Sequence, residues 1–138
     1  MARSPVLDIG IIDDPIKGRA ESMYKSMRDK AWGWLTDDFL SRFSDQAGMI
    51  MINTRWHVDD PAGRWMQRFP ETEEIKYQAI ADPDDLTVKA GLREAGEALF
   101  KEYKTLEFLE SYRRTLTEGS WVSLYQQEPI ISDAPQAD

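Results

Sequence analysis

Two short clusters of reactive side chains punctuate the first sixty residues. One is Asp13-Asp14-Pro15, a pair of carboxylates that closes an apolar run. The other is Thr54-Arg55-Trp56-His57, which combines a hydroxyl, a guanidinium and the single histidine of the chain. Carboxylates at a strand tip suit divalent-cation chemistry, because Mg²⁺ prefers hard oxygen ligands and the strand end fixes where they lie. In nucleotide hydrolysis one such acid, here Asp13, holds magnesium through water, and a neighbour such as Asp14 polarises the attacking water. Thr54 and Arg55 are the types that sense or stabilise a γ-phosphate, since arginine matches phosphate geometry with two parallel donors. Simpler roles stand beside these. Asp-Asp-Pro can be plain punctuation after a strand, Arg55 can pair with Asp59 or Asp60 at the surface, and Trp56 can plug the core. His57 then reads as a hydrogen-bonded loop histidine, and with no second histidine and no cysteine a zinc site has no support.

The surrounding pattern says what must position these groups. Val6 to Ile12 is short, apolar and β-branched, which predicts a buried strand, and Pro15 forces the chain out of the sheet. From Ala20 to Phe43 the apolar residues Met23, Met27, Trp34, Phe39 and Phe43 recur at helical intervals, with Arg28, Asp29 and Lys30 on the wetter side. This predicts one long helix, or two broken near Gly33. Ser44 to Gly48 reads as a turn and Met49 to Thr54 as a second strand. Strand, helix, strand is a βαβ unit with parallel strands, so both strand tips, and with them Asp13, Asp14, Asn53, Thr54 and Arg55, meet across a crevice at one edge. Asp60-Pro61 predicts a capped helix over Ala62 to Phe69, Ile75 to Ile80 a third strand, and Asp82 to Asp85 a turn. Leu86 to Gly96 has no firm signature. Leu106, Leu109, Tyr112 and Leu116 mark a helix that should break at Glu118-Gly119, with a final turn or two over Trp121 to Gln127. Met1 to Pro5 and Ser132 to Asp138 are expected to be loose ends. The fold class is therefore α/β, a partial parallel sheet with flanking helices and a helical C-terminal segment.

Composition narrows the function classes. The chain has 138 residues, 25 acidic and 17 basic, for a net charge of -8, and 41% of it is apolar. That suffices for a core in one compact domain and argues against disorder throughout. The acidic balance argues against this chain gripping DNA phosphates by itself. No apolar run nears the roughly 20 residues that span a bilayer, no secretory leader opens the chain, and the absence of cysteine fits a reducing cytoplasm.

Read together, Ile11-Ile12-Asp13-Asp14-Pro15-Ile16-Lys17, then Trp34 and Arg42, then Met51-Ile52-Asn53-Thr54-Arg55-Trp56-His57-Val58-Asp59-Asp60-Pro61-Ala62-Gly63-Arg64 resemble the large terminase subunit of tailed bacteriophages. Gly96-Glu97-Ala98-Leu99-Phe100 and Leu124-Tyr125-Gln126-Gln127-Glu128-Pro129 resemble that family's passage from ATPase core to nuclease. The likeness spans roughly Leu7 to Pro129 in the same order.

The resemblance implies a segment of the ATP-driven motor that packages viral DNA. It places Ile11 to Asp14 on the Walker B strand, with Asp13 as the magnesium-side acid and Asp14 where many ATPases carry a catalytic glutamate. Thr54 falls at the coupling motif, with Arg55 and His57 beside it. Mg²⁺ and ATP are the implied cofactors. The portal protein, the small terminase subunit and double-stranded DNA are the implied partners, in a bacterial cytoplasm and encoded by a phage or prophage. Residues 1–81 would be the second half of an ATPase core, and residues 82–138 a linker toward a nuclease domain. The phosphate-binding pattern GxxxxGK[ST] is absent from these 138 residues, so the chain alone is expected to hydrolyse ATP poorly or not at all. A small acidic interaction module that keeps the fold without catalysis, and a metal-dependent hydrolase using Asp13 and Asp14, are the alternatives. A sheet of two or three strands is expected to leave an edge and an apolar face bare and so to favour self-association.

Overall fold

The computed structural model describes residues 6–134. The expected loose start at Met1 to Pro5 and the last four residues of the expected loose tail lie outside the described residues. The chain divides into two compact units, Met1–Pro70 with Ile131–Asp138, and Glu71–Ile130.

The first unit is built on two parallel strands, β1 (Leu7–Asp13) and β2 (Phe43–Ile52), in the register Ile9 to Gly48, Ile11 to Ile50 and Asp13 to Ile52. The expected parallel pair is present, and β2 begins earlier than its apolar run. Between the Leu7–Phe43 and Ile9–Gly48 pairs β1 advances two residues and β2 advances five. The turn-forming Ser44 to Ala47 are thus absorbed as a bulge inside the strand instead of ending it. One face of the pair carries Gly10 and the buried Ile12. A Cβ on Gly10 would lie 2.3 Å from the Phe43 ring and 2.8 Å from that of Phe39, so glycine is what lets these two rings, packed edge to face, lie on the sheet. The opposite face is bare: Ile9, Ile11, Ile50 and Ile52 are 52–64% exposed. Parallel sheets are normally covered on both sides, so this is the uncovered apolar face the sequence led us to expect.

The segment between the strands is not one long helix. It comprises α1 (Arg19–Ser22), α2 (Lys25–Gly33), a π-helical turn (Trp34–Phe39) and a 3₁₀ turn (Leu40–Arg42). The change at Gly33 falls where its low helix propensity weakens the α-helix, and the Thr36 hydroxyl donates back to the Trp32 carbonyl there. After β2 comes α3 (Pro61–Arg68), started by Asp60, whose Oδ1 accepts the Gly63 N–H at 2.7 Å, with proline in the first turn. The end of the chain returns to this unit: the Ala134 N–H donates to the Met23 carbonyl and Asp133 meets Arg28 and His57. Asp133 and Ala134 are accordingly tied down, contrary to the expected loose tail.

The Glu71–Ile130 unit contains α4 (Leu86–Lys89), α5 (Leu106–Thr115) and α6 (Glu118–Leu124). Its core is Ala98, Leu109 and Trp121, with Ala79, Ile80, Tyr112, Leu116, Val122 and Tyr125 packed against them. The expected third strand over Ile75 to Ile80 does not form, and only a single antiparallel bridge joins Ile80 to Ala98. Side chains claim the backbone groups that a ladder would need. The Gln126 amide both accepts the Ile80 N–H and donates to the Ile80 carbonyl, and Asp85 accepts the Gln78 N–H. The helix break falls at Leu116-Thr117 rather than at Glu118-Gly119, because Thr117 caps a new helix by accepting the Ser120 N–H. No helix among the described residues is long and apolar enough to cross a membrane.

Candidate functional site

Because β1 and β2 run parallel and pair through Asp13 and Ile52, their carboxyl ends reach one rim. The ladder extends one residue past β1, where the Asp14 N–H donates to the Ile52 carbonyl at 2.8 Å. Asp14 sits there at φ 48°, in the left-handed region, which costs an ordinary residue roughly 1–2 kcal/mol and which aspartate tolerates better than most. In that conformation its Oδ1 accepts the Thr54 N–H at 3.1 Å. Asp14 is therefore a latch between the two strand tips. Asp13 is exposed, and among the described residues its carboxylate has no hydrogen bond or ion pair. The adjacent acids are chemically distinct: one is held in place, and the other is open to solvent and to a hydrated cation.

Arg55 does not join this rim. Its Nε donates to Asp60 Oδ2 at 2.8 Å, and both side chains are largely out of water. The simpler reading of Arg55 as a partner of Asp60 is the one found, although the pair lies beneath the surface rather than on it. Asp60 in turn caps α3, so the guanidinium is fixed to the start of that helix. Trp56 is half-buried and does not plug the core.

His57 is buried, and its Nδ1 accepts the Asp59 N–H at 3.0 Å. A ring nitrogen that accepts a hydrogen bond carries no proton, so the proton of the neutral ring is on Nε2. Beside it lies a cluster the sequence did not disclose. Arg28, assigned by its spacing to the wet side of α2, is 2% exposed. It donates through Nη1 to the Ser22 carbonyl at 2.8 Å and through Nε to Asp59 at 3.2 Å. Arg64 grips Asp59 with two parallel donors, Nε to Oδ1 at 3.0 Å and Nη2 to Oδ2 at 2.8 Å, and reaches Asp29 at 2.7 Å. Hydrogen bonds from Arg64 hold the Asp59 carboxyl below its ordinary value against the opposing effect of burial, with Arg28 adding to them. Asp29 is lowered by Lys25 first and then by Arg64, and Arg64 is raised mainly by Asp59. No periodicity marks an arginine as buried; the only hint was the density of complementary acids around residues 55–64.

Elsewhere, a cavity of about 340 Å³ in the Glu71–Ile130 unit is lined by Gln78, Asp82, Arg113, Trp121 and Glu128 among others, none of them given a chemical role from sequence. Among the described residues no three His, Cys, Asp or Glu side chains converge as a metal cage. The rim has the chemistry to offer a carboxylate to a hydrated cation, and it provides no phosphate cradle. No protein-family model matches the chain, and no curated protein matches it.

Proposed function

We propose that this chain is a segment of a terminase-type DNA-packaging ATPase, with Asp13, Asp14 and Thr54 at the nucleotide edge of a parallel sheet. The observation that carries the reading is the hydrogen bond from the Thr54 N–H to Asp14 Oδ1, which ties a strand-end acid to the residue at the resembling coupling motif. Such a bond supports coupling, since a change at the acids would be felt directly by the chain leaving β2. Asp13, exposed and without a hydrogen bond or ion pair among the described residues, suits a magnesium ion held through water; the ion would supply charge neutralisation at the transferred phosphoryl group. Asp14 holds its carboxylate beside the reacting region and orients the Thr54 backbone. The GxxxxGK[ST] pattern is absent from these 138 residues, so the nucleotide would depend on a phosphate loop lying outside them.

An ATPase assay tests this. The purified chain alone is expected to show no turnover above background. Turnover is expected on adding a terminase segment that carries the phosphate loop, with at least a hundredfold loss in Asp13→Ala. Turnover by the lone chain that Asp13→Ala abolishes, or joint turnover indifferent to that substitution, contradicts the proposal.

The second reading, an acidic interaction module without catalysis, is favoured by one observation: Arg55 is committed to Asp60 and away from the acids. Absence of turnover with the added segment, despite a stable complex, selects this reading.

A further inference from the structure

Asp133 enters the first unit from the end of the chain and places one carboxylate oxygen, Oδ1, 3.0 Å from Arg28 Nη2 and 2.9 Å from His57 Nε2. Both donor side chains are 3% exposed, while Asp133 itself is 53% exposed. The two halves of this contact are therefore unequal: a pair of fixed, dry donors and a wet, tail-borne acceptor. Arg28 is held by Ser22 and Asp59, and His57 by the Asp59 amide, so neither donor depends on Asp133 for its position. The fit is also incomplete. Close as it is, Oδ1 is not in line with the His57 ring N–H, and Nε2 has no hydrogen-bond partner despite being buried. A buried donor without an acceptor is destabilising, a cost that an acceptor free to align itself would remove.

We propose that Arg28 and His57 form a seat for a carboxylate, occupied here by Asp133, and that a small external monocarboxylate takes the seat when the tail leaves. Charge selects the class. Without Asp133 the surrounding charges are Lys25, Arg28 and Arg64 against Asp29 and Asp59, a set with one positive charge in excess. One negative charge restores what Asp133 supplies, whereas the larger charge of phosphate meets Asp59 across the same guanidinium. Arg28 provides the charge-assisted donor and His57 Nε2 the neutral one. The inference does not depend on the ATPase reading, since none of its residues belongs to the Asp13–Asp14–Thr54 rim.

The chain's one histidine makes the test specific, because imidazole ¹⁵N and ¹H signals report His57 alone. At constant pH and ionic strength, acetate is expected to shift the His57 Nε2 signals saturably in Asp133→Ala, with a half-saturation at least tenfold lower than in the wild-type chain. Asp133→Asn, which keeps the side-chain shape, is expected to behave like Asp133→Ala and stands in for it should the alanine variant not fold. In the wild type, acetate at saturation is expected to release the tail, read as lost hydrogen-exchange protection of the Ala134 amide. Inorganic phosphate is expected to bind at least tenfold more weakly than acetate in either variant. Absence of a saturable shift in both variants, equal half-saturation with and without Asp133, or phosphate binding as tight as acetate overturns the proposal.

Discussion

Asp85→Ala is expected to lower the unfolding free energy of the Glu71–Ile130 unit by about 3–5 kcal/mol, the range for breaking a buried ion pair from one side. Asp85 and Arg93 are 1% and 6% exposed in their side chains, and Arg93 Nη2 lies 3.1 Å from Asp85 Oδ1. The pair sits in a network that organises a stretch with little regular structure. Asp85 accepts the backbone N–H groups of Gln78 and Thr87 and the Thr87 hydroxyl, and that hydroxyl accepts Arg93 Nε at 2.8 Å. Arg93 Nη1 donates to the Glu97 carbonyl at 3.3 Å. The buried apolar residues here are few, Ala81, Ala98, Leu109 and Trp121, so this network carries a large share of the local order. Removing the carboxylate strands a buried guanidinium. The double variant Asp85→Ala/Arg93→Met is expected to cost less than the sum of the singles, as a double-mutant cycle in urea would show.

The pH dependence has a definite sign. Burial raises the Asp85 carboxyl, but the Thr87, Gln78 and Arg93 hydrogen bonds outweigh it and hold the group far below the ordinary carboxylate range. A carboxyl lowered on folding contributes stability in full above its unfolded value of about 4 and loses it as pH falls toward the folded value. Wild-type stability should therefore drop steeply below about pH 4, and Asp85→Ala should flatten that drop. A wild-type profile with no steeper acid limb than the variant's would contradict the assignment.

Gly63→Ala is expected to cost about 3 kcal/mol and to disorder the loop from Thr54 to Asp60. A Cβ at this position would lie 1.9 Å from the Val58 carbonyl oxygen and 3.1 Å from Arg55 Nη2. The first of these is backbone, so no rotamer change relieves it, and overpacking of this kind sits at the costly end of its range. The Gly63 N–H is also the donor that Asp60 caps while Asp60 holds Arg55. Helix propensity alone would make this substitution favourable by up to about 1 kcal/mol, so the direction of the change is itself diagnostic. Thermal unfolding gives the cost. Loss of hydrogen-exchange protection at the Thr54 amide would show that the clasp and the Asp14 latch move together.

The parallel pair and the capped third helix were legible because their signals are local: two short apolar runs, the first ended by Asp13-Asp14-Pro15, and an Asp-Pro start. The meeting of Asp14 with Thr54 followed from topology, since parallel strands put both tips on one side. Three features were not legible. Ile75 to Ile80 has the composition of a strand, but Gln126 lies 46 residues from Ile80, and neither its claim nor that of the nearby Asp85 on this backbone leaves a trace in the pattern. Arg28 looks like a solvated position, and its burial depends on Ser22, Asp59 and Asp133, which only the tertiary fold brings together. Arg55 offered both a phosphate role and an ion pair, and only the cap at Asp60 distinguishes them.

The most direct test of the nucleotide-edge claim is paramagnetic broadening of the wild-type amide spectrum by Mn²⁺·ATP, which registers weak occupancy near a metal. Selective broadening centred on Asp13, Asp14 and Thr54, and its loss in Asp13→Asn, is the expected result. Broadening that is uniform, that centres elsewhere, or that survives Asp13→Asn would contradict it.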